Sequence, residues 1–85
     1  MNDHQDSENF SYNRTWVEIQ DLLHEAERTQ NQHLLALQNT QLTKKQKVQH
    51  MRDFKGLQGV IHALRWTLGD LHMPRSKVLG KEKQH

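Results

Sequence analysis

The sequence predicts an all-α protein built as an antiparallel two-helix hairpin, with helices at about residues 15–38 and 44–70. An N-terminal arm at 1–14 and a basic tail at 72–85 flank it. Three observations predict this. Apolar residues recur at helical spacing in two stretches of similar length, each stretch opens on a capping box, and about five residues join them. With 85 residues, of which 33% are apolar, the chain sits near the lower limit for a self-sufficient core, so support from a partner or from self-association is expected.

Met1 to Phe10 is polar and acidic without a period, which reads as a flexible arm. Phe10 and Tyr12 are the aromatics of that arm. They either dock on a neighbouring molecule or cover the end of the hairpin.

The first helix opens at Thr15-Trp16-Val17-Glu18, a threonine followed three residues later by glutamate. The hydroxyl can accept from an early helical N–H while the carboxylate reaches back to the cap. Trp16, Ile19, Leu23 and Ala26 follow at spacings of three and four, continued by Gln30, His33 and Leu37 and widened by Leu22 and Leu34. Glu18, Asp21, Glu25 and Glu27 crowd the N-terminal half, where the helix dipole favours anions.

Asn39-Thr40-Gln41-Leu42 breaks the pattern, and Thr43-Lys44-Lys45-Gln46 supplies a second capping box. The lysines in its first turn oppose the dipole, so something other than local helix stability keeps them there. Val48 and Met51 lead into Phe54, Leu57, Ile61, Leu64, Leu68 and Leu71, again at helical spacing. Gly69 falls where a C-terminal cap belongs, and Pro74 forbids much continuation.

A register test supports the hairpin. Folding about a point between Gln41 and Leu42 sets Leu23 against Ile61, Ile19 against Leu64 and Trp16 against Leu68. Small Ala26 then faces bulky Leu57, and His33 faces His50. The expected core is therefore Trp16, Ile19, Leu23, Ala26, Phe54, Leu57, Ile61, Leu64 and Leu68. The tail beyond it reads as irregular, with no third helix.

Charge divides by halves. Residues 1–42 carry seven acids and two bases, whereas residues 43–85 carry ten bases and three acids. One reading is a basic half that meets an anionic partner. The other, favoured by where the acids lie, is that two antiparallel segments neutralise each other within the hairpin.

Chemistry finds little support. Cysteine is absent, which excludes disulfides, thiol nucleophiles and thiolate-bound metals. His24, His33, His50, His62 and His72 include no pair three or four residues apart, the spacing at which helical ligands converge. His33 opposite His50 reads as a polar layer that fixes register, not as a metal site. No carboxylate pair, Ser/His/Asp arrangement or glycine-rich phosphate loop is present. No catalytic residue, cofactor or metal is expected. No 18-residue apolar run exists and the polar start is unlike a signal peptide, so no membrane partner is expected.

Two groups of residues remain as candidates for contact. At about 100° per residue, Trp66 lies opposite Leu57 on the second helix, with Gly59, Arg52, Ala63 and Gly56 following it round. Glycine within a helix costs about 1 kcal/mol relative to alanine, so two of them need a reason. A flat strip for close helix approach, edged by tryptophan and arginine, supplies one. The second group is cationic: Lys44, Lys45, Lys47, Arg52 and Lys55 over about three turns from the loop, and Arg75, Lys77, Lys81 and Lys83 in the tail. These can meet an anionic partner, with loose nucleic-acid contact as the form expected.

The stretch Gly59-Val60-Ile61-His62-Ala63-Leu64-Arg65-Trp66-Thr67-Leu68 resembles the pattern Gly-x-Ile-x-Ala-Leu-Arg-x-x-Leu in small hairpin proteins of tailed bacteriophages. Those proteins are often encoded among head and packaging genes. Trp16, Ile19 and Leu23, followed by Glu25 and Glu27, are similar to their first helix, and the resemblance spans residues 15–70. It implies a virion or assembly component in the portal, neck or capsid region, acting on other virion proteins or on itself. Its location would be the virion, and the host cytoplasm during assembly. The competing reading is a small cytoplasmic phage protein that binds nucleic acid or a host factor.

Overall fold

The computed structural model describes residues 10–81. Helix α1 runs over Trp16–Leu37, α2 over Lys44–Thr67, and a one-turn α3 over Arg75–Val78. Among the described residues there is no strand. The two long helices pack against each other as an antiparallel hairpin, and α3 folds back onto α2.

Both capping boxes form. Thr15 accepts from the Glu18 amide at 3.1 Å, and Glu18 accepts from the Thr15 amide at 2.9 Å. Thr43 and Gln46 repeat the arrangement at 3.1 and 2.9 Å. Helix α1 ends without glycine. Its last carbonyls are met by the tighter i→i−3 bonds of Gln38 and Asn39. The Asn39 side chain then accepts from the Gln41 amide at 2.9 Å, which turns the chain back toward Thr43.

Helix α2 stops at a Schellman motif. Gly69, at φ 91°, donates to the Trp66 carbonyl while Asp70 donates to that of Arg65. Leu71 therefore leaves the helix and is 95% exposed, so it does not continue the apolar series.

Leu23, Ala26 and Ile61 form the buried centre, with Leu57, Leu64 and Leu68 packed against them. Ile19 and Phe54 are half-buried. The expected register holds where it can be read: Leu23 and Ile61 share the core, and His33 Nδ1 lies 2.9 Å from His50 Nδ1. Trp16 departs from expectation. It is 66% exposed, because it occupies the first helical position beyond the last turn that the partner helix covers.

The tail also differs from the irregular segment expected. Pro74 starts α3 with its fixed φ, and Gly80, at φ 71°, ends it with a second Schellman motif in which Lys81 donates to Ser76 at 2.7 Å. Of the arm, Phe10 and Tyr12 stack at a tilt, centroids 6.2 Å apart, and both stay exposed and do not cover the hairpin's end. Residues 1–9 of the arm, and Lys83 of the tail, lie outside the described residues.

Candidate interaction surface

The outer side of α2, turned away from α1, carries most of the expected contact residues. Gly56 and Gly59 are exposed, and a Cβ built on either meets no atom within 4 Å. The chain's own packing therefore requires neither glycine. Arg52 is exposed beside them, and Ala63 is half-buried. Trp66 is 47% exposed and lines a small apolar depression with Arg75, Val78 and Leu79. Its ring is thus shared with α3 and is less free than a bare helix surface would leave it.

Apolar exposure continues beyond this strip. Val60 is 41% exposed on α2. On α1, Leu22 is half-exposed and lines a shallow notch with Ile19 and Leu64. Val17, Leu34 and Leu35 of α1, and Val48 and Met51 of α2, are exposed as well. Against these stand only three buried hydrophobic residues among those described, and none of the three is fully buried.

The seam carries a polar layer that the sequence reading only partly anticipated. His33 and His50 meet as expected, with rings tilted and centroids 5.2 Å apart. Gln30 donates its amide to Gln58 Oε1 at 2.6 Å and to the Phe54 carbonyl at 3.3 Å, and Gln58 contacts His62 at 3.0 Å. Among the described residues, no three His, Asp or Glu side chains gather closely enough to hold a metal ion, so the histidine pair lacks further ligands. No described helix is long and apolar enough to cross a membrane.

Charges do not neutralise across the hairpin as the favoured reading expected. Among the described residues, Glu27–Arg65 is the only ion pair joining α1 to α2. The physical reason is the antiparallel fold itself. It sets the acidic start of α1 beside the C-terminal half of α2, while Lys44, Lys45 and Lys47 lie at the opposite end, by the turn. Those lysines, together with Arg75, Lys77 and Lys81, have no carboxylate partner among the described residues.

The fold also joins the two cationic groups, which lie far apart in sequence. Three shallow depressions adjoin along the outer side of α2. The first is lined by Lys44, Lys45, Val48 and Arg52, and the second by Val48, Met51, Arg52 and Lys55. The third lies between α2 and α3, where Lys55, Gly59 and His62 face Lys77 and Val78. Lys55 belongs to the cationic cluster that the sequence spacing already groups with Lys44, Lys45, Lys47 and Arg52. The fold of α3 was needed to show its neighbour.

No family model matches the chain, and neither a curated protein nor a solved structure matches it.

Proposed function

We propose that this chain is a non-enzymatic helical-hairpin protein that works by protein–protein contact, completing its apolar core against another chain. The observation that carries this reading is the imbalance between core and surface. Leu23, Ala26 and Ile61 are buried, whereas Trp16, Leu22, Val60, Trp66 and other large apolar residues are more than 40% exposed. A two-layer hairpin has no second side with which to cover them. Gly56 and Gly59, which the monomer does not need, permit a second helix to approach α2 closely.

The resemblance of residues 15–70 to tailed-phage hairpin proteins supports a narrower form of the proposal. In that form the partners are virion proteins or further copies of this chain, met during assembly of the portal, neck or capsid region.

Sedimentation velocity on the purified full-length chain tests the general reading. The expected result is an oligomer, or a monomer that unfolds at low denaturant and gains stability with a partner. A compact, thermally robust monomer overturns it. Mass spectrometry of purified phage particles tests the narrower form, which fails if the chain is absent both from particles and from assembly intermediates.

A further inference from the structure

We infer that the outer side of α2, extended by α3, is a sequence-independent binding face for the phosphate backbone of nucleic acid. The inference does not rest on the protein–protein reading, and because it uses Arg52 and the surface at Gly59, a bound duplex and a helix packed on α2 exclude each other there. It rests on four cationic positions that the fold aligns: the Lys44–Lys45 pair, Arg52, Lys55 and, from α3, Lys77. They line three adjoining depressions that share Arg52, Val48 and Lys55 as common walls.

Several features point the same way. None of these cations is paired with a carboxylate among the described residues, so their charge is available. Lys44 and Lys45 stand in the first turn of α2, where the helix dipole disfavours cations, and add to the positive field there. Pro74 and Gly80 bound α3, and Lys77 on it lines the same depression as Lys55 and Gly59 of α2. From Lys44 to Lys55 the run is about 17 Å long at ~1.5 Å per residue. Along it stand four cations, Lys44, Lys45, Arg52 and Lys55, with Lys77 added from α3.

Nucleic acid fits this face better than an anionic membrane does. A membrane-bound helix inserts a broad apolar side beneath its cations. Here the broad apolar side of α2 is occupied by α1, and the outer side offers only Val48, Met51 and a Trp66 already shared with Val78 and Leu79. No base-reading arrangement accompanies the cations, so affinity without sequence preference follows.

Fluorescence anisotropy of the full-length protein with a labelled duplex of about 20 base pairs, over a salt series, tests the inference. If about five cations each neutralise one phosphate, log K falls against log salt with a slope of about −4 to −5. The double variant Lys55→Gln, Lys77→Gln should bind about tenfold or more weakly at low salt and lose about two units of that slope, with helicity by circular dichroism unchanged. Arg28→Gln removes an exposed cation from α1 and should bind as the parent does. A parent slope shallower than about −1, or an equal loss in Arg28→Gln, overturns the inference. So does tighter, Lys77-dependent binding to phosphatidylserine vesicles than to the duplex, which would make the partner a membrane.

Discussion

Glu27 and Arg65 tie the two long helices together, although they stand nine residues out of the register that the core obeys. The cause is the lean of helical side chains toward their own N-terminus. In an antiparallel pair, that lean carries a long side chain on α2 and one on α1 toward each other along the seam. Arg65 is also 3.8 Å from Asp70, so the pair borders the end of α2.

Both partners are more than a third exposed, which limits the pair's worth. A double-mutant cycle with Glu27→Gln and Arg65→Met, read by urea unfolding, should give a coupling of about 0.2–1 kcal/mol. It should shrink with added salt. A coupling several times larger would mean that the pair organises the end of the hairpin and does not merely decorate it.

The histidine layer makes a different prediction. His33 and His50 are half-buried and satisfy each other across the seam. Replacing both by leucine removes two polar groups together and should leave stability unchanged or raise it, whereas His50→Leu alone strands His33 and should cost about 1 kcal/mol or more. Thermal melts of the three variants give the order. If the double variant is the least stable, the layer contributes net stability and is not a register device.

Core and rim separate by mutation. Leu23→Ala empties a buried site and should cost about 2–5 kcal/mol, enough to unfold so small a hairpin. Trp16→Ala touches a side chain that is 66% exposed and should shift stability by less than about 1 kcal/mol in the monomer. Circular dichroism at 25 °C distinguishes the two. A Trp16→Ala chain as unfolded as Leu23→Ala would restore Trp16 to the core.

The contrast between these residues also shows how far the sequence could be read. Helix existence, both capping boxes and the pairing of His33 with His50 were legible because each depends on spacing alone. Trp16 was misplaced because periodicity gives a residue's direction and not whether the partner helix reaches that far. The cationic face was only half legible. Its α2 members were visible in phase, but joining them to Lys77 required α3 to fold back, and Pro74 had been read only as a terminator. Its pairing with Gly80, six residues on, was the missed signal of a capped turn.

That capped turn depends on glycine at one position in each motif. Gly69 has φ 91° and Gly80 has φ 71°, where an L side chain crowds its own backbone. Gly69→Ala should cost about 1–2 kcal/mol and loosen the tail from Trp66. Tryptophan fluorescence of a chain carrying Trp16→Phe isolates Trp66. A red shift is expected in the Gly69→Ala background, and an unchanged spectrum would mean that α3 does not need this cap.

Gly59 supplies the sharpest test of the outer face, because alanine and leucine there should act in opposite ways on two measurements. A Cβ at this position meets nothing, so Gly59→Ala should raise hairpin stability by about 0.5–1 kcal/mol through helix propensity alone. Gly59→Leu should keep that helicity, yet stand between α2 and any helix that packs closely on it. Assembly in sedimentation should then survive Gly59→Ala and fail with Gly59→Leu. Trp66→Ala should weaken assembly by about 2 kcal/mol if the exposed half of the ring is an interface anchor. The Leu23 and Ile61 seam is untouched by all three substitutions, so lost assembly with retained helix content reports on the outer face. Normal assembly of both Gly59→Leu and Trp66→Ala would show that partners bind elsewhere, with the notch at Leu22, Ile19 and Leu64 the next surface to substitute.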